Sequence, residues 1–386
     1  MHWAAISALA SAGHDVTFVS LPWADDPPTD ERIEEIRGLG AEVVVVPPPP
    51  GEAPAGRWQA RAAYVRSLTW PGDETLFPSI VSAPGLAGAV AELAPDVVLA
   101  DGNTAIVAAA GLEVPKLASM CDPPGLSRRL RTRYEPLYPW RLGRDELLYR
   151  LGAATYAFRA DRRMVDLLRR FDSVAVYAAH RAEWAREQGV NAWYARSPML
   201  DPVGDEWAER RAQAPPNAKP RILMIGHLRG ISTISGLHVF VEDVLPRLTD
   251  ELGPDGFEVH VVGAYDPPRS LRSALDHPAV ILRGQIEPPD EEFLRADVVL
   301  VPTPVETGPR IRILSAFAYG CCVVAHSANR LGIPALEHGA NALLADEAGL
   351  AGATLQALRD PALREGLGAA GRAVYEESFT PERAGT

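Results

Sequence analysis

Ala212-Gln213-Ala214-Pro215-Pro216-Asn217-Ala218-Lys219-Pro220-Arg221-Ile222-Leu223-Met224-Ile225-Gly226 passes from a segment of linker composition into an apolar strand that stops at a glycine. Three prolines before Arg221 interrupt any regular element. The apolar run after it is short, bounded and followed by a well-patterned helix, Leu237–Leu252, so it reads as a strand buried on both faces. Strands over Glu258–Val262, Ala279–Leu282, Val298–Val301 and Cys322–Ala325 follow. Upstream, the same alternation runs through an earlier set of elements, in which the first strand is missing. Helix His2–Ser11 precedes strand Asp15–Ser20, and helix Asp30–Leu39 precedes strand Glu42–Val46. Helix Ala87–Leu93 leads to strand Asp96–Ala100, and the turn and helix Gly102–Ala110 lead to strand Val114–Met120. The long helical region Asp145–Arg170 then returns to strand Ser173–Tyr177. Two alternating strand–helix patterns joined by a break predict an α/β protein of two Rossmann-like domains, their parallel sheets facing across a cleft. The expected division is residues 1–205, a linker over 206–220, a second domain over 221–361, and a helical tail over 362–386 that packs back toward the first domain.

The length of 386 residues suits two cores better than one. Charged residues make up 23% and the net charge is −12, which disfavours nucleic acid as a partner and confines any phosphate site to a local cluster of cations. Three cysteines without a pairing or zinc-ligand pattern suit a reducing cytoplasm. No apolar run has membrane-spanning length, and no basic segment with a following apolar core marks a signal peptide.

Three strand ends in the second half carry ligand-binding chemistry. Gly226-His227-Leu228-Arg229-Gly230 offers close backbone approach, free N–H groups at a helix start, and a cation, although an ordinary βα turn carries the same residues. Arg283-Gly284-Gln285-Ile286 has the form of a loop whose backbone contacts a nucleotide base. Glu306-Thr307-Gly308-Pro309-Arg310-Ile311-Arg312 is a turn entering a helix. Its two arginines are too close in sequence to share a helix face, so one is expected to face a ligand and the other to serve the structure. In the first half, Asp122 follows a strand end, where it either orients a sugar hydroxyl or acts in a turn. Arg128, Arg129, Arg131 and Arg133, with Tyr134, Tyr138 and Trp140, form a basic aromatic run. It fits an anionic acceptor or a solvated face.

Residues 221–377 resemble the nucleotide-sugar-binding half of glycosyltransferase family 4 and its relatives with the GT-B fold. The matching features are Gly226 with Leu228-Arg229, the helix segment Val241–Leu248, Val261-Val262-Gly263, and Ala296-Asp297-Val298. To these are added Thr307–Ala316, Gly320–Ala325, His338–Asp346 and Gly371-Arg372-Ala373. The first half resembles the family more faintly, at Ala12–Thr17, Pro95–Val98, Val114-Pro115 and Arg170–Asp172. The resemblance implies a hexosyltransferase-type enzyme (EC 2.4) that moves a sugar from a nucleoside-diphosphate sugar with retention of configuration. It implies no metal and no cofactor beyond the co-substrate. The acceptor is open among a glycan, a lipid-linked molecule and a small molecule, and peripheral membrane contact is compatible with it.

Residues and resemblance together put Gly226, His227, Arg229, Gly284, Gln285, Glu306, Thr307, Gly308, Pro309, Arg310, Ile311, Arg312 and Ser315 at the donor; Arg229 and Arg312 are expected to be catalytic, with Asp122, read from its place after a strand end, as a third candidate. A departing diphosphate needs fixed positive charge. Arg229 matches the family's arginine, whereas the usual lysine has no counterpart in Ile231–Ser235, and Arg312, where many relatives have a lysine, stands with Arg310 to supply that charge. Ser315 replaces the acid that grips the ribose, Thr307 stands at the earlier acidic position with Glu306 one residue away, and Cys121 replaces a histidine. The first strand and its glycine-rich loop have no counterpart after Met1, so either the true start lies upstream of Met1 or part of the site is lacking. These departures leave a second expectation, a non-catalytic GT-B protein that serves as partner or activator of a true transferase. A nicotinamide-dependent oxidoreductase ranks last, because no Gly-x-Gly-x-x-Gly follows a strand.

Overall fold

The computed structural model describes residues 2–20, 29–46, 84–134 and 144–384. The chain divides into two compact units, Met1–Ala195 and Arg196–Thr386.

In the first unit β1 (Val16–Ser20) and β2 (Ala41–Val45) form a parallel pair, joined by helix Asp30–Gly38. Thr29 caps that helix, its side chain accepting from the backbone N–H of Arg32. Strands β3 (Val98–Asp101), β4 (Lys116–Met120), β5 (Ser173–Val176) and β6 (Ala192–Tyr194) form a separate parallel sheet in that order. The sequence reading did not anticipate β6, which is only three residues long. Ala100, Ala118, Val174 and Val176 bury one sheet face against Ile106, Met164, Leu168 and Ala182 from three helices. Helix Pro124–Tyr134, after β4, lies along helix Arg144–Leu168. Asp161 accepts from the backbone N–H of Gly125 at 2.7 Å, and a Cβ at Gly125 would stand 2.3 Å from the carbonyl oxygen of Ala157. Gly125→Ala is therefore expected to cost about 1–3 kcal/mol, read as a lower urea midpoint at unchanged slope.

The second unit holds β7 (Arg221–Ile225), β8 (Glu258–Val262), β9 (Val280–Gly284), β10 (Val298–Val301), β11 (Val323–His326) and β12 (Leu343–Ala345). All six are parallel, in the spatial order β12-β11-β10-β7-β8-β9. β10 and β11 are buried at every residue, as a sheet covered on both faces requires. Counted within this unit, the order is the doubly wound one, and the chain reverses its direction of growth between β7 and β10. Ligands of such sheets bind outside the strand ends at that switch point.

Two expectations change here. The helix expected from Leu237 begins at Ile231, runs to Val239, and continues through a π turn into Leu245–Leu252. The β-branched and serine-rich start disguises it, but Ile231, Ile234 and Leu237 recur at helical spacing and are all buried. The second change concerns 196–220, which belongs to the second unit and is packed rather than free. Helix Trp207–Gln213 lays Trp207 over Gly320, and Arg211 donates to the carbonyl oxygens of Phe293 and Ala296, each at 3.1 Å. Asn217 donates to the Arg295 carbonyl at 2.7 Å.

The C-terminal helix Pro361–Ser378 starts at Asp360, whose carboxylate accepts from the N–H of Leu363. Within the second unit it packs on helix Ile311–Ala318. Gly371 allows the approach, since a Cβ there would lie 2.5 Å from the Phe317 ring. Tyr375 is fully buried and donates to the Met199 carbonyl at 2.9 Å.

Candidate functional site

The switch point of the second unit is built by three short segments. Strand β7 ends at Gly226, helix Ile231–Val239 begins with Ser232 and Thr233 in its first turn, and helix Ile311–Ala318 follows β10 with Arg312 in its own first turn. Arg312 donates to Thr233 Oγ1 at 2.9 Å and to Ser232 Oγ at 3.3 Å. A Cβ at Gly226 would stand 2.9 Å from both Arg312 Cζ and Thr233 Oγ1, so only glycine leaves room for this guanidinium. Burial lowers the Arg312 pKa to about 10, with no charged neighbour contributing, so the group is a cation at neutral pH. Among the described residues it forms no ion pair. A partly buried cation whose described partners are hydroxyls favours an anion at the switch point.

Arg310 does the other job. It is buried and gives its donors to its own loop: the Thr307 hydroxyl, the Gly308 carbonyl at 2.9 Å, and the Val305 carbonyl at 2.7 Å. It was expected at the donor, and its described hydrogen bonds hold the 305–310 turn together. That turn buries Thr307 and Gly308, leaves Glu306 exposed, and brings Pro309 ahead of the helix that Ile311 begins. Arg310→Ala is expected to leave those acceptors without donors and cost about 2–4 kcal/mol of stability, measured by denaturant titration. Ser315 lies one turn along the same helix, partly exposed, with no carboxylate at its position.

The Gly226 loop is backed by β8. The N–H of Gly226 donates to the Val262 carbonyl at 2.9 Å, and the N–H of Leu228 donates to the Ala264 carbonyl at 3.2 Å. His227 and Arg229 are exposed. The His227 ring centroid lies 4.9 Å from that of Tyr265, and the Arg229 guanidinium is 5.7 Å from the same ring. Gly284 ends β9 at φ 69° and accepts from the N–H of Gly263 at 2.8 Å, with Gln285 immediately beyond. Gly226, Gly284 and Arg312 thus stand at the carboxyl edge of one sheet. Sequence reasoning did not identify Ser232 and Thr233 as partners of Arg312. The available signal was a pair of hydroxyls just after the glycine loop.

Asp122 belongs to the first unit, after β4. Its carboxylate lies 3.3 Å from the Arg181 guanidinium, and its backbone carbonyl accepts from Asn103. Burial, then Asp122 and Asp101, push the neighbouring Cys121 thiol up to about 12, so it is neutral at physiological pH. Ser119 donates to the Asp101 carboxylate beside them. Along the basic run Arg129 pairs with Asp161 at 2.7 Å, and Arg128 and Arg133 lie 5.4 and 5.3 Å from the rings of Tyr156 and Tyr134. Tyr138 and Trp140 lie outside the described residues. No described helix is long and apolar enough to cross a membrane.

Residues 219–360 match the model of the family Glycosyl transferases group 1. No curated protein matches the chain by sequence. Among solved structures, the chain is similar to sucrose-phosphate synthase from Thermosynechococcus elongatus, at 18% identity and a TM-score of 0.66, covering 98% of this chain and 88% of that one. It is similar to HepE of Anabaena in complex with UDP and glucose, at 14% identity and a TM-score of 0.62, covering 99% and 92%. It is also similar to a glycosyltransferase from Rickettsia africae, at 9% identity and a TM-score of 0.60, covering 99% and 90%. These likenesses place the chain in the GT-B fold.

Proposed function

From the premise that residues 219–360 form a domain of the group 1 glycosyl transferases in a chain with the GT-B fold, we propose that the protein transfers a hexosyl group from a nucleoside-diphosphate sugar with retention of configuration. The observation that carries this reading is Arg312, a protonated arginine at the switch point whose described partners are the hydroxyls of Ser232 and Thr233. The diphosphate occupies that corner against the open backbone at Gly226, and Arg229 contributes a second, solvent-facing cation. As the glycosidic bond to the diphosphate breaks, negative charge accumulates on the leaving oxygen. A guanidinium already fixed by two hydroxyls stabilises that charge without reorganising. The Anabaena relative, whose structure contains UDP and glucose, supports a nucleotide as the donor's leaving group.

Calorimetry against UDP, GDP and ADP, followed by transfer assays with their glucose conjugates and NMR of the product anomer, tests the reading. Binding of at least one nucleoside diphosphate and an α-linked product from an α-linked donor are expected. No binding by any of the three sinks it. A second reading draws on Ser315, on Thr307 tied to Arg310, and on the neutral Cys121 thiol. It makes the chain a nucleotide-binding partner of another transferase, and tight binding with no transfer to any of a panel of glycan, lipid-linked and small-molecule acceptors would favour it.

A further inference from the structure

Tyr265 is the most exposed large aromatic at this edge of the second unit, at 63% of its full accessibility. Its backbone is left-handed, at φ 68°. For a bulky residue with a Cβ this conformation is strained and persists only where the surroundings impose it. They impose it here. A Cβ at Gly263 would stand 1.8 Å from the Gly226 carbonyl oxygen, the Leu228 N–H is bonded to Ala264, and Pro267 and Pro268 follow. The chain between β8 and Pro267 is therefore pinned to the Gly226 loop, and the strain places an aromatic ring in solvent rather than in the core. The ring's neighbours are His227 and the Arg229 guanidinium, both exposed.

Position gives the ring a use. Arg312 reaches Gly226 from the β10 side, and Tyr265 leaves β8 on the other side of β7. The Arg312 guanidinium therefore lies at the end of β7 and Tyr265 beyond the end of β8, successive positions along one carboxyl edge, as the diphosphate and base of one extended nucleotide require. Beyond Tyr265 stands Gly284 at the end of β9, whose backbone is free of a Cβ at φ 69°. We propose that Tyr265 is the stacking platform for the nucleobase of the bound nucleotide, with His227 closing one side of the ring. This rests on the donor reading above and adds to it a specificity-determining residue. Stacking on an open aromatic is tolerant of base identity, so Tyr265 supplies affinity for a base as such. Discrimination between bases falls to the polar edge around Gly284 and Gln285.

The test compares UDP, GDP and ADP with inorganic pyrophosphate, which has the charge but no base, by calorimetry on the full chain. Tyr265→Ala is expected to weaken the best-bound nucleoside diphosphate about tenfold or more and to leave pyrophosphate within twofold. Tyr265→Phe is expected to retain the affinity. Tyr265→Gly removes the ring and relieves the left-handed strain at once, so it is expected to weaken the nucleotide equally while melting no lower than wild type. Unchanged nucleoside diphosphate affinity in Tyr265→Ala and Tyr265→Gly overturns the stacking role and leaves the donor reading standing. Equal loss of nucleotide and pyrophosphate in both variants overturns it in favour of a purely structural loop residue. Wild-type protein that binds pyrophosphate but no nucleoside diphosphate overturns both.

Discussion

Arg312→Gln is expected to weaken nucleoside-diphosphate binding by about 30-fold or more and to lower kcat/KM further, while leaving the free protein as stable as wild type or slightly more stable. The two effects have opposite signs for one reason. In the free protein the guanidinium is partly buried, its described partners are the Thr233 and Ser232 hydroxyls, and burial lowers its pKa to about 10. A cation in that setting carries a desolvation cost that glutamine does not. In the proposed complex the same cation meets a diphosphate, and removing one partner of a desolvated, hydrogen-bonded charge pair costs about 2–5 kcal/mol. Transition-state charge exceeds ground-state charge on the leaving oxygen, so the loss in kcat/KM exceeds the loss in binding. Arg312→Lys keeps the charge but gives up the planar fork, and an intermediate loss is expected. Calorimetry paired with thermal melts of the free protein checks both arms. A variant that melts much lower and binds normally would show that Arg312 is a structural residue.

The two arginines show where sequence reading stops. Spacing of two residues established that Arg310 and Arg312 point in different directions, but not which of them is tied to its own turn. The answer lies in three acceptors contributed by the turn itself, on Val305, Thr307 and Gly308, whose convergence depends on backbone geometry that no residue pattern encodes. The strands of the second unit were legible because parallel strands buried on both faces must be continuously apolar. The start of helix Ile231–Val239 was obscured because its β-branched and serine residues have weak helix preference, and burial of Ile231, Ile234 and Leu237 overrides it. The composition of 206–220 reads as a linker, yet Arg211 and Asn217 find carbonyl partners on the second unit that lie some 80 residues ahead in sequence. Tyr265 gave no signal at all. Its importance is a φ value, and a tyrosine after a strand says nothing about the sign of φ.

Arg372 is expected to matter most for stability. Its side chain is 3% exposed on the C-terminal helix and holds three parts of the second unit together. It donates to the Asp201 carboxylate at 2.5 and 3.1 Å, to the Ala318 carbonyl at 2.6 Å, to the Gly204 carbonyl at 3.1 Å, and to Glu376 at 2.6 Å. Arg372→Ala leaves these acceptors without their donor and opens a cavity beside Tyr375. A loss of about 3–5 kcal/mol follows, or roughly 10 °C in Tm for a unit of this size. Asp201 adds a pH arm. Burial pushes its carboxyl up, but the hydrogen bond from Arg372 and those from the N–H groups of Val203 and Gly204 outweigh burial and hold it below the ordinary value. A depressed carboxylate contributes stability that is complete above the ordinary aspartate pKa of about 3.9 and is lost as pH falls through the lowered one. Asp201→Asn is therefore expected to melt well below wild type at pH 7, and the gap is expected to narrow as the pH is lowered below about 4. A gap of constant size across that range would mean that the hydrogen-bond geometry of Asp201, rather than its charge, ties 196–205 to the C-terminal helix.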